Sequence, residues 1–196
     1  ALPILLCLHN LLLVLSGRQD NARLQREKLL RDYPLNATLW WLNWFDGRSE
    51  SALAQWRGLC QGRDVNALMT AGQLINWGMP ALAAEMLNAL DCQRTLPLYL
   101  QASLLPKAER GELVVKAIDA FPQFVRFPNT LEEVAALESI EECWFARHLL
   151  ACFYYNKRSY GKAIALWQRC VEMSPEFADG WRGLAIHAWN KQHDYE

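Results

Sequence analysis

The sequence predicts an all-α protein, an α-solenoid built from stacked antiparallel helix pairs. Small and large apolar residues recur at a fixed interval near the C-terminus. Turn residues separate stretches of helical periodicity, and no run of alternating apolar and polar residues is long enough to indicate a strand. Because 52% of the 196 residues are hydrophobic and 21% are charged, these helices can bury a substantial core.

The C-terminal repeat is the clearest unit. The interval from Leu150 to Leu184 equals that from Ala151 to Ala185, and this period of about 34 residues is typical of stacked helix pairs. Small residues let two helices approach closely, and large ones fill the volume around the contact. Pro175 ends the second helix because proline lacks a backbone N–H. The other positions of the unit are Tyr154, Ala163, Trp167, Cys170 and, in the following helix, Trp181.

The same frame recurs near the N-terminus. There the interval from Ala22 to Pro34 equals that from Ala163 to Pro175, and Trp40 opens the following helix as Trp181 does. A third instance has its turn at Gly78-Met79-Pro80, where the proline suits the first turn of a helix. Further helices are predicted at residues 1–15, 51–59, 96–105 and 111–120.

Three regions follow one another along the chain. They are degenerate helix pairs at 1–120, a proline- and aromatic-rich connector at 121–130 and C-terminal repeats at 131–196. We expect the connector to be extended and packed on the stack. Thr130, with Glu133 three residues later, forms a capping-box pattern that begins a new helix. Since the chain begins with Ala and an apolar stretch, we interpret it as a fragment of a larger protein, with residues 1–15 as a buried helix at its edge.

Charge and cysteine usage restrict the classes of partner. A formal net charge of −1 and a pI near 6.5 give no whole-chain electrostatic attraction to nucleic acid. The apolar stretch at 1–15 is shorter than the roughly 20 residues that a membrane-spanning helix needs, so no membrane partner is predicted. The six cysteines include no Cys-x-x-Cys pair and lie in apolar helical contexts. This pattern favours reduced thiols and a cytoplasmic protein.

Few residues have the spacing that chemistry requires. His148 and Cys152, four apart on one helix face, are the one pair that could bind a metal or form a Cys/His nucleophile. Neither has a third ligand or an orienting carboxylate at evident spacing, so we predict no catalytic residue, no metal site and no cofactor. We interpret the acidic residues near 132–142 as a solvated face. They are Glu132, Glu133, Glu138, Glu141 and Glu142.

Nine tryptophans are present, and helical spacing divides those near the predicted turns into two groups. Trp40, Trp44 and Trp181 lie where helix packing requires bulk, so we expect them in the core. Trp41 lies on another face and is predicted to be an exposed anchor.

The repeat positions from Leu150 to Ala185 resemble the tetratricopeptide repeat family. Two departures are Arg147, where the family often has Trp, and Cys170, where Ala is usual. The resemblance implies a right-handed superhelix of helix pairs whose first helices line a concave groove. It also implies a non-catalytic interaction or scaffolding module that binds a protein or peptide segment.

By this analogy, two neighbouring helices supply the groove. The predicted lining residues are His148, Cys152, Tyr155 and Asn156 from one helix, and Asp179, Arg182, Ile186, Trp189 and Asn190 from the next. Aromatic anchors with amides and one Arg suit a peptide ligand. The cluster of cations with which some family members bind a terminal carboxylate is absent.

A narrower resemblance implies an alternative function. The connector at 121–128, the helix that begins at Thr130 and the stretch at 154–167 resemble the C-terminal repeat region of large bacterial proteins. Those proteins carry an N-terminal β-rich domain and, in enterobacteria, occur beside sugar-metabolism genes. This region would then be a structural or substrate-shielding part of a protein whose β-rich domain binds or processes sugar. The preceding domain of the same chain would be its partner.

Overall fold

The structure is a computed structural model that describes residues 2–61, 63–120 and 126–192. Within these residues the regular structure is entirely helical and contains no strand, which confirms the all-α prediction. The chain divides into two compact units, Ala1–Asp91 and Cys92–Glu196. No helix of the described residues combines the length and apolar character that crossing a membrane would take.

The described part of the first unit contains six helices joined by short turns. They are α1 (Leu2–Leu15), α2 (Gln19–Asp32), α3 (Ala37–Gly47), α4 (Glu50–Cys60), α5 (Asp64–Asn76) and α6 (Pro80–Leu90). Each odd-numbered helix packs on the helix that follows it, and α3 also packs on α5. As predicted, Pro80 occupies the first turn of a helix.

Within this chain, helix α1 is buried on one side only. Cys7 and Leu11 are in the core, whereas Leu5, Leu12 and Leu15 are each about half exposed or more. The difference arises because α2 and α3 pack on one side of α1 alone.

The tryptophans of α3 reverse part of the sequence-based assignment. Trp44 is buried and stacks on Trp56 at a centroid distance of 6.0 Å, so its core assignment is confirmed. Trp41 is only 1% exposed, so the exposed-anchor prediction was wrong. Helix α5 packs on α3, and the hydroxyl oxygens of Thr38 and Thr70 are 3.0 Å apart. Because Trp41 lies one turn beyond Thr38, it shares the covered face.

The described part of the second unit contains a further six α-helices. They are α7 (Thr95–Ser103), α8 (Gly111–Asp119), α9 (Leu131–Glu138), α10 (Trp144–Asn156), α11 (Tyr160–Met173) and α12 (Ala178–His187). A 3₁₀ turn, Lys107–Glu109, precedes α8, and a π-helical turn, Ala188–Gln192, follows α12. The predicted connector lies outside the described residues at 121–125, and its remaining residues are non-helical.

The predicted capping box begins α9. The Thr130 hydroxyl accepts from the Glu133 backbone N–H at 3.3 Å, and the Glu133 carboxylate accepts from the Thr130 N–H at 3.2 Å. Glu133 also pairs with Arg126 at 2.8 Å and is only 2% exposed. The interpretation of all five acidic residues as a solvated face was therefore wrong for Glu133, because this carboxylate satisfies donors that precede the helix.

Five repeat positions of the second unit lie in its core, as predicted: Leu150, Ala151, Ala163, Trp167 and Cys170. Tyr154 and Leu184 are partly buried, whereas Ala185 is exposed. Helices α10 and α12 begin at Trp144 and Ala178, which are separated by the same interval as Leu150 and Leu184. Ala151, Ala163 and Trp167 form one buried cluster. A β-carbon on Gly183 would overlap the Trp167 ring, so the missing side chain is what allows α12 to approach α11.

The turn after α11 places Trp181 differently from the prediction. Its indole N–H donates to the Pro175 carbonyl at 2.9 Å, and the residue is 52% exposed. The equivalent Trp40, which is partly buried, donates to the Pro34 carbonyl at 2.8 Å. The predicted recurrence of the Pro/Trp frame is confirmed, whereas the core assignment of Trp181 was wrong because its indole lies over its own turn.

Candidate functional site

Helices α10 and α12 form the walls of a cavity of about 320 Å³. The lining residues are Phe127, His148, Cys152, Trp167, Asp179, Arg182, Gly183 and Ile186. Five of these come from the predicted groove, so the structure brings His148, Cys152, Asp179, Arg182 and Ile186 together.

A second depression of about 220 Å³ lies beside the cavity and shares Phe127 and Cys152 with it. Its lining residues are Phe127, Pro128, Asn129, Cys152, Phe153, Asn156 and Lys157. The predicted residue Asn156 is therefore here. We call the cavity and this depression together the α10–α12 groove.

Three predicted site residues lie outside the lining of the groove. Tyr155 is partly buried, and its ring packs on Tyr160, Trp167 and His187 with centroid distances of 5.1, 5.3 and 6.1 Å. Trp189 is 63% exposed on the π-helical turn, with Asn190 exposed beside it. Tyr155 thus supports α11 and α12, while the other two residues form a surface beyond them.

Phe127 and Lys157 are groove residues that the sequence-based reasoning did not assign. Phe127 belongs to the predicted aromatic connector, and the expectation that this connector packs on the stack was the signal for it. Lys157 is the residue at the C-terminal end of α10. Nothing in its local pattern distinguishes it from an ordinary helix-terminal lysine.

His148 provides a buried polar wall. It is 7% exposed, and its ring lies 6.1 Å from Phe145 and 5.0 Å from Phe177 between ring centroids. Its Nε2 is 3.6 Å from the Cys152 sulfur, and no group in the described residues hydrogen-bonds its Nδ1. Burial lowers the pKa of His148, partly opposed by the Asp179 carboxylate, so the imidazole is neutral at pH 7. An unpaired buried polar atom of this kind costs about 1–3 kcal/mol.

The thiol beside His148 is not an activated nucleophile. Burial, and then the Asp179 carboxylate, raise the pKa of Cys152 to about 11. The thiolate is the reactive form of cysteine, so at neutral pH this pair lacks the activation that nucleophilic catalysis needs. Among the described residues, no group of three or more His, Cys, Asp or Glu side chains is arranged to hold a metal ion.

The charged residues of the groove have no ionic partners within the described chain. Asp179 is partly buried and Arg182 is exposed, and neither forms an ion pair there. The Lys157 ammonium lies 5.5 Å from the Phe153 ring centroid and likewise lacks a carboxylate partner among the described residues. The groove therefore combines an apolar floor with polar groups that can pair with a ligand.

The described residues thus form a helical protein whose α10–α12 groove has both apolar and polar lining residues. No known protein-family model matches the sequence.

Proposed function

We propose that this chain is a non-catalytic protein–protein interaction module of tetratricopeptide type, and that its α10–α12 groove binds a peptide segment of a partner protein. The observation that carries the proposal is the groove itself. An apolar floor containing Trp167, Phe127 and Ile186 lies beside Asp179 and Arg182, which lack ionic partners among the described residues. Buried apolar anchors supply binding energy, and peripheral polar groups fix orientation.

The repeat spacing supports the choice of family. Helices α10 and α12 begin one repeat apart, and the buried pair Ala151 and Ala163 packs with Trp167. This arrangement matches the packing of a two-helix repeat that stacks on its neighbours. In this proposal the pairs continue as a right-handed superhelix within a larger bacterial protein. The module acts in the cytoplasm, where its thiols stay reduced.

The groove is better suited to binding a peptide than to reacting with a small molecule through Cys152. The thiol of Cys152 stays protonated because burial raises its pKa to about 11, and the two depressions form an elongated surface along α10. An elongated surface with a few polar groups can accommodate main-chain as well as side-chain contacts.

The proposal is tested by selecting binders from a randomised peptide display library against the 196-residue chain. Binding of the selected peptides is then measured for Arg182→Gln and Ile186→Ser. Arg169→Gln is the matched control, since Arg169 is an exposed α11 residue that pairs with Glu172 and is not a groove residue. We expect Arg182→Gln to weaken binding about threefold to fivefold, as for one exposed ion pair. Ile186→Ser should weaken binding about tenfold, and the control should leave it unchanged.

Thermal unfolding of each variant separates loss of binding from loss of fold. Arg182 and Ile186 are exposed, so both variants should unfold near the wild-type temperature. Selection of peptides that bind all three variants equally would contradict the groove assignment. Failure to select any peptide would contradict the proposed function.

A further inference from the structure

The charges of the groove lie at its two ends. Arg182 lines the cavity and Lys157 lines the neighbouring depression, and neither has a carboxylate partner in the described chain. Asp179 is the one carboxylate among the lining residues. Two cations and one anion give the groove a net positive charge, which complements an acidic ligand.

The middle of the groove is apolar. Phe127 is 49% exposed and Ile186 is 39% exposed, while Trp167 and Gly183 form part of the cavity lining. The space of about 320 Å³ accommodates an aliphatic or aromatic side chain.

Comparison with the first unit indicates that an uncharged helix would be a poor ligand for the α10–α12 groove. When α2 is aligned with α11 from their first residues, Asp179, Arg182 and Ile186 correspond to Thr38, Trp41 and Phe45. In the first unit this face is covered by α5. In the second unit two of the three residues are charged. Covering them with an uncharged surface would leave both charges unpaired and desolvated, which is unfavourable.

The length of the groove sets the spacing of the ligand. His148 and Asn156 mark its two parts on α10, two helical turns apart, which corresponds to about 12 Å along a helix. An extended peptide covers this distance in about four residues, and its alternate side chains point to the same side. Side chains at positions 1, 3 and 5 of a strand therefore face the groove together.

We propose that the groove selects an extended peptide segment in which two acidic residues flank an apolar residue at positions 1, 3 and 5, a specificity that rests on the proposed function. Arg182 and Lys157 bind the two carboxylates, and the apolar side chain enters between Phe127 and Ile186. The peptide backbone faces the Asp179 carboxylate, which accepts main-chain N–H hydrogen bonds.

The test uses four blocked pentapeptides and the full chain labelled with ¹⁵N. The parent is acetyl-Glu-Ala-Leu-Ala-Glu-amide. The other three replace both Glu by Gln, both Glu by Lys, or Leu by Ser. Amide chemical shifts locate binding and give the dissociation constant. We expect the parent to bind about tenfold more tightly than the Gln and Ser peptides, as two exposed ion pairs or one buried side chain would give. We expect the Lys peptide not to bind.

Variants of the protein test the role of the cation at each end of the groove. Arg182→Gln and Lys157→Gln should each weaken the parent about threefold to fivefold while leaving the Gln peptide unchanged, whereas Arg169→Gln should change neither. Raising the salt concentration should weaken the parent alone, since exposed ion pairs are screened.

Each contrary result has a distinct meaning. Equal binding of the Glu and Gln peptides, or tighter binding of the Lys peptide, would overturn the proposed specificity and leave peptide binding standing. Selection from the display library of peptides whose apolar residues have helical spacing would also overturn the proposed specificity and leave peptide binding standing. If no peptide from either experiment binds in a groove-dependent way, both the specificity and the proposed function fail.

Discussion

Helices α1–α3 of the first unit and α10–α12 of the second fold into the same local frame with different interiors. Helices α2 and α11 span Gln19–Asp32 and Tyr160–Met173, so the two helices have equal length and align end to end. The turns that follow also match, because Asn36 and Phe177 both have φ of −78°, with ψ of 106° and 97°. The backbone frame is therefore preserved where the side chains are not.

The interior of this frame is polar in the first unit. Arg26 occupies the position of Trp167, and its guanidinium donates to Asn10 at 3.1 Å, Asn43 at 3.2 Å and Asp46 at 2.5 Å. In the second unit Ala151 and Leu184 stand where Asn10 and Asn43 do, and they pack with Trp167 in an apolar cluster. One helix arrangement can thus be held by a buried ion pair with its hydrogen bonds, or by an indole.

The comparison predicts the largest effect for Arg26→Leu. This variant leaves the Asp46 carboxylate, whose side chain is 11% exposed, without its cation, and breaking a buried pair in this way costs about 3–5 kcal/mol. Urea unfolding followed by tryptophan fluorescence measures the loss.

The triple variant R26L/N43L/D46L is the counterpart. The second unit carries Trp167 and Leu184 at the positions of Arg26 and Asn43, and the third substitution removes the carboxylate that has lost its cation. The triple variant should therefore recover at least half of the stability that Arg26→Leu loses. A triple variant less stable than the single one would show that the frame depends on its polar interior.

The second prediction concerns the close contact on which the apolar interior depends. Gly183→Ala places a methyl group against the Trp167 ring, so the helices must separate, which typically costs about 1–3 kcal/mol. Gly161→Ala is the matched control, because no atom lies within 4 Å of an added β-carbon there. That variant should be neutral or slightly stabilising. Equal thermal unfolding of the two variants would remove the argument for a tight contact between α11 and α12.

The third prediction concerns the proline–tryptophan turn, which occurs once in each unit. Trp40→Phe and Trp181→Phe each remove the indole donor to a proline carbonyl while keeping most of the aromatic surface. Each should cost about 0.5–1.5 kcal/mol, as for one hydrogen bond, and the two losses should be similar. Hydrogen exchange of the turn amides reports each unit separately, and unequal losses would show that the two turns are not energetically equivalent.

The comparison also explains what could be predicted from the sequence. The turns and the repeat positions were predictable because Pro34, Pro175 and the small residues act locally. The exposure of Trp41 was not, since it depends on whether a later helix covers its face. The role of Arg26 was not predictable either, because its three partners lie on the separate helices α1 and α3.

The groove shows the same division. Helical spacing placed His148, Cys152, Asp179 and Arg182 on facing surfaces, and the structure brings them together. Tyr155 shares a helix with the first two, but its ring packs on Tyr160 and other aromatic residues, a choice that rotamers and neighbouring volumes decide. Spacing indicates which face a residue is on, whereas packing decides which way its side chain turns.

The smallest expected effect is the pH dependence that His148 adds to the second unit, where the first unit has Cys7 at the equivalent position. Burial lowers the pKa of His148 from its ordinary value of 6.5, so on acidification the unfolded chain takes up a proton before the folded chain does. The contribution of the neutral imidazole to stability is therefore complete above about pH 6.5. It falls as the pH drops below that value, by at most about 1.4 kcal/mol per pH unit.

Urea unfolding of the wild type and of His148→Gln between about pH 7.5 and 5.5 isolates this contribution, because all other groups titrate in both proteins. The wild type should lose more stability over this range than the variant, and parallel curves would show that the buried imidazole exerts no such penalty.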